Sequence, residues 1–247
     1  MLFFRSLLLL VALLSPAFGQ DGAQIAAGAK GAAQDLRIYL DGIAKAGERP
    51  DYTKPPALDL FHRVFDIERL AASPPAKASD LTWLIEWLSA ANQTSKQIIY
   101  FDIKPGPNPD QAATLRNLTD YEDQYAAATN FMLRVAAREA TAMLLFMDQL
   151  APEQRTPVRE AGLQKSRNGA AGLIASAIGS VFVGMRPANA RLMTAAMRDT
   201  RDVWASYILP DDRTQIINLL TRAANMAKDE EVKKNLTAFN AALAAAK

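Results

Sequence analysis

Three groups of side chains in this sequence have types and spacings that could do chemistry. Asp59, His62 and Asp66 stand at i, i+3 and i+7, so one helical face would present a nitrogen ligand between two carboxylates. Zinc or iron wants further nitrogen or sulfur ligands. His62 is the single histidine of 247 residues and there is no cysteine. The cluster therefore reads as a structural histidine beside carboxylates. Asp120, Glu122 and Asp123 lie beside Tyr121 and Tyr125. Paired carboxylates serve acid–base chemistry in glycosidases. Consecutive acids on a helix diverge, however, so a solvated face is expected. The polar run Asn92-Gln93-Thr94-Ser95-Lys96-Gln97 could line a ligand cavity through its amides. The preferred reading is an exposed helix end.

What is missing narrows the chemistry further. Without cysteine there is no thiolate catalysis, iron–sulfur cluster, attached c-type haem or Cys-based zinc site. A Ser-His-Asp triad would have to be built on His62 alone. No phosphate-binding loop, dinucleotide fingerprint or nucleophile elbow occurs. The expectation is a protein with no catalytic, cofactor or metal residues, whose work is binding or scaffolding. The partner would be another envelope protein or an apolar ligand. Three Asn-x-Thr acceptor patterns begin at Asn92, Asn117 and Asn235. They fall in predicted helices and read as chance.

The formal charge is +2, but between Arg155 and Arg201 eight basic residues face only Glu160 and Asp199. Arg191 and Arg198 share one side of a predicted helix and are the candidate anion face. Met193, Met197, Trp204 and Ile208 share another. Arg198 could pair with Asp202 at i+4, worth ~0.2–0.5 kcal/mol. An ordinary solvated basic face is the plainer reading.

The most unusual stretch is 168–185, eighteen residues without a charge between Arg167 and Arg186. Gly172, Ser176, Ser180 and Gly184 recur every fourth residue, and Ala175 and Gly179 widen that ridge. Small residues at this spacing let another backbone approach closely, as in membrane helix pairs. The length is marginal for a bilayer. The reading preferred here is a central helix buried on all sides of a bundle. A peripheral membrane protein using 168–185 and its basic flanks is the alternative.

The elements that must position these residues are all helical, because apolar residues recur at helical and not strand spacing. The pattern predicts an all-α bundle of about eight helices: 23–46, 57–72, 79–101, 110–150, 152–185, 187–208, 210–228 and 229–246. Gly47 is the expected stop of the first. Ser79, Asp110 and the acids at 229–231 are expected at helix starts, as are Pro152, Pro187 and Pro210. The Pro-rich loop 104–109 is the strongest breaker. The mature chain is therefore one helical domain, or two subdomains, 20–103 and 110–247. Leu150-Ala151-Pro152-Glu153-Gln154-Arg155-Thr156 echoes Ile208-Leu209-Pro210-Asp211-Asp212-Arg213-Thr214 as repeated junction chemistry. Over five residues the first copy resembles the Leu-Thr-x-x-Gln motif of Spy-like periplasmic chaperones, with Ala151 in place of Thr. That resemblance implies a helical, chaperone-like alternative and nothing about individual residues.

Residues 1–19 read as a cleavable secretory signal. Arg5 precedes the apolar run from Leu7 to Leu14, Ser15-Pro16 breaks it, and Ala17-Phe18-Gly19 is the peptidase site. From Leu2 to Leu14 the run has 13 residues, short of a bilayer span of about 20. No cysteine follows for a lipid anchor, and no twin arginine precedes it. The expected location is extracytoplasmic, periplasmic or secreted by a Sec-type route, which leaves no role for nucleic acid.

Overall fold

A computed structural model of the chain describes residues 20–104, 106, 109–182 and 184–246. The expected signal peptide lies outside the described residues. Those described are 81% helical with no strand. The helices are α1 (Gln20–Lys45), α2 (Ala57–Val64), α3 (Ile67–Ala72), α4 (Leu81–Ile99), α5 (Gln111–Asp120), α6 (Glu122–Asp148), α7 (Pro157–Phe182), α8 (Pro187–Asp199), α9 (Arg201–Tyr207), α10 (Pro210–Met226) and α11 (Glu230–Ala245).

Helix ends follow local chemistry. Gly47, at φ 70°, closes α1: its N–H bonds to the Ala44 carbonyl and the Glu48 N–H bonds to Ile43. This is the Schellman pattern, which needs a left-handed residue at that point. Asp110 caps α5 through the Ala113 N–H, and Asp229 caps α11 through the N–H groups of Glu231 and Val232. Pro187 and Pro210 open α8 and α10 as expected. Pro152 opens only a 310 turn, and the α-helix begins at Pro157. At the start of α4 the carboxylate of Asp80, not Ser79, accepts from the Lys77 N–H and from Trp83 Nε1.

Three of the expected helices are each divided in two. Asp66 accepts from the Arg69 N–H and so caps α3 away from α2. Tyr121, at φ −113° and ψ 31°, separates α5 from α6. Thr200, at φ −106° and ψ 5°, separates α8 from α9. Its hydroxyl donates to the Ala196 carbonyl and accepts from Trp204 Nε1, holding the bend from both sides. None of these breaks contains a Gly or Pro.

The central helix is α6. It packs on α4 along one side and on α8 along the other, and it also meets α5, α7 and α9. On the α4 side, α1 and α2 complete a layer. On the α8 side, α11 packs against α8, α9 and α10. Trp87 of α4 sits edge-on to Phe131 of α6 at 5.0 Å, and Phe131 meets Phe65 at 5.7 Å. This aromatic cluster carries the core from one side of the 104–109 loop to the other.

The uncharged run in α7 was expected at the centre, and there it does not sit. α7 packs mainly on α10 and α6. Ala170, Ala171, Ile174, Ala177 and Ile178 are buried, while Gly172 and Ser176 are exposed. A Cβ added to Gly172 or Gly184 would meet nothing within 4 Å, so among the described residues no backbone approaches the ridge closely at either glycine. Ser180 is half-buried and bonds to the Tyr125 hydroxyl at 2.7 Å. Gly184 lies beyond the helix at φ 91°. The side of the run that faces water is made of small residues, which lose little by exposure. Among the described residues, no helix is long and apolar enough to cross a membrane.

Candidate functional site

Met132, Ala136 and Glu139 follow one another at i, i+4 and i+7 on α6. This stripe faces α4 and α7 across a cleft of about 200 Å³. Ile85 and Leu88 of α4 and Ala170 and Leu173 of α7 supply apolar walls; Asn92, Lys165 and Ser166 add polar groups. Glu139 is only 5% exposed. A carboxyl at that depth needs a hydrogen-bond partner, and α7 provides it. The Ser166 hydroxyl donates to Oε1 at 3.0 Å and lies 3.3 Å from Oε2. Tyr207, buried at the end of α9, donates in turn to Ser166 Oγ at 2.7 Å. The Arg167 guanidinium lies over the Tyr207 ring, 5.6 Å from its centroid.

The electrostatics follow from this burial. Loss of water pushes the Glu139 carboxyl up to about 7, and the Ser166 bond only partly offsets that rise. Burial likewise pushes the Tyr207 hydroxyl up, so it stays a donor. Both hydroxyls thus point their protons along one chain toward the carboxyl. Glu139 can accept a bond from a ligand when ionised and donate one when neutral. Ser166 is poorly placed as a nucleophile, because it lies inside α7. Backbone N–H groups there are spent on the helix and cannot form an oxyanion hole.

The residues singled out from sequence lie elsewhere. Arg191 ion-pairs Asp229 at 2.7 Å and approaches Glu231 at 3.6 Å. Arg198 binds the Asp199 carboxylate through two nitrogens and also donates to Asn235. The proposed anion face is therefore answered from within the chain, and Arg198 pairs with Asp199 rather than with Asp202. His62 and Asp59 are exposed, and Asp66 is spent as the cap of α3. No group of three or more His, Asp or Glu among the described residues could hold a metal ion. The acids at 120–123 are not merely solvated. Asp120 pairs with Arg49 at 3.0 Å, and Arg186 bonds to both Glu122 and Asp123, as does Asn189. These contacts tie the start of α8 to the start of α6.

Of the polar run 92–97, Asn92 reaches the cleft, because α4 runs unbroken through it. Thr94 and Ser95 are buried, so this run is no exposed end. Asn117 and Asn235 are buried and hydrogen-bonded. Glu139 also has a signal in the sequence. Its signal is periodicity: it stands four residues from Val135 and from Met143, both fully buried. An acid on an apolar helical stripe is uncommon unless paired. Ser166 and Tyr207 carry no comparable signal, since only the fold brings them to Glu139. No family model, no curated protein and no solved structure matches this chain.

Proposed function

We propose that this chain is an exported, extracytoplasmic binding protein. Its ligand is a small, largely apolar molecule with one hydrogen-bonding head, held in the Glu139 cleft. The observation that carries this reading is the buried Glu139 carboxyl, which accepts a hydrogen bond from Ser166, in a cleft with apolar walls. A dry apolar cavity of roughly 150 Å³ accepts benzene, so a cleft of about 200 Å³ suits one ring or a short chain with a polar group. Aromatic contacts that join both sides of 104–109 support one helical unit rather than two subdomains.

Benzyl alcohol and toluene test the site, since they share a body and differ in the head. Amide NMR shifts at Gly169, Ala170 and Met132 report occupancy. Benzyl alcohol should bind about tenfold more tightly than toluene, the value of roughly one net hydrogen bond. Glu139→Leu should erase that preference. If millimolar benzyl alcohol moves none of these amides, the reading fails. Export is checked separately by N-terminal sequencing of the protein recovered from its native cell envelope. The expected first residue is Gln20; a retained Met1 would remove the extracytoplasmic part.

A further inference from the structure

We propose that a second cleft, on the opposite face of α6, binds the carboxylate of a single-chain amphiphile. This cleft holds about 520 Å³, within the range usual for ligand sites, and lies between α3, α6 and the α8–α9 junction. Its walls are apolar, from Ile67, Leu70, Ala137, Leu192 and Val203. Two arginines one helical turn apart on α6, Arg134 and Arg138, enter it.

Their situations differ, and the difference selects the ligand. Arg134 is neutralised: it pairs with Asp199 at 2.7 Å and donates to Asn130. Asp199 is also bound by Arg198, so one carboxylate already serves two guanidinium groups. Arg138 pairs with no carboxylate among the described residues. Its Nη2 donates to the carbonyls of Ser73 and Pro74 at 2.6 and 2.9 Å, which fixes the group in place. Nε and Nη1 bond to no described residue and are left for another acceptor. Burial works against this charge, and Asp80 is the acid whose field supports it. The cleft thus carries an excess of positive charge on a preoriented donor at the rim of an apolar wall. A carboxylate would complete the charge, and an alkyl chain would cover Leu192, Ile67 and Val203. A cationic head would meet Arg134 and Arg138 instead.

Calorimetry with decanoate below its micellar concentration, against decanol and decyltrimethylammonium, tests the assignment on the full mature chain. Decanoate should bind, decanol at least tenfold more weakly, and the ammonium not measurably. Arg138→Gln should weaken decanoate at least tenfold. Leu192→Trp, at an exposed rim position, should weaken it similarly by filling the apolar part, and it keeps the test open if the arginine variant does not fold. Equal binding of decanoate and decyltrimethylammonium, undiminished decanoate binding in a folded Arg138→Gln protein, or no decanoate binding at all would each overturn the proposal.

Discussion

Glu139→Gln should make the protein more stable than wild type at about pH 8, by roughly 3 kcal/mol, and should flatten its pH dependence. The carboxyl titrates at about 7 in the folded chain against an ordinary value of 4.5. Between these values the native state keeps a proton that the unfolded chain has released. Wild-type stability therefore falls as pH rises from 4.5 to about 7, and the full penalty persists above that window. Below it both states are protonated and the penalty vanishes. Glutamine keeps the shape and the acceptor for Ser166 but cannot ionise. Its extra N–H needs an acceptor in the cleft, which subtracts from the gain. Urea midpoints for both proteins between about pH 4 and pH 8 measure the effect. Parallel curves would show that Glu139 does not titrate in this window.

Trp87→Ala should cost about 3–5 kcal/mol, the range for removing a large buried ring. Trp87 is fully buried, its Nε1 donates to the Val64 carbonyl at 2.9 Å, and its ring meets Phe131 and Trp83. The carbonyl belongs to the last residue of α2, so the same side chain satisfies one of that helix's terminal acceptors. Because its partners lie on both sides of the 104–109 loop, the loss should appear in one cooperative thermal transition for the whole chain. Two separable transitions, with only the earlier one moved, would instead reveal independent halves. Trp87→Phe keeps most of the ring but leaves Val64 unpaired, and should cost about 1–3 kcal/mol.

Much of the fold could be read from local chemistry. Gly47, Asp110, Asp229, Pro187 and Pro210 act within one turn of where they stand, so their roles are visible in the chain itself. The side formed by Met193, Met197, Trp204 and Ile208 is buried as its spacing predicts. Long-range partners were not legible. Arg191 finds Asp229 across 38 residues, and Arg186 finds Asp123 across 63. A count of local charge treats such residues as a free basic face. The choice of central helix failed for a related reason. α6 carries Arg134, Arg138 and Glu139, and so looks less buriable than the uncharged α7. In the fold each of those three side chains has tertiary hydrogen bonds, while α7 turns Gly172 and Ser176 to water. The carboxyl of the cleft was hidden by the same preference for uncharged sequence.

Glu139 and Arg138 are neighbours in sequence, yet they face different clefts. Successive helical residues point about 100° apart, so α6 is a partition with one cavity on either side. Anything that shifts or turns this partition reshapes both cavities at once. If filling one cleft alters the affinity of the other, linkage requires the reverse effect to have the same magnitude. The partition would then be the element through which two chemically unlike ligands sense each other without touching.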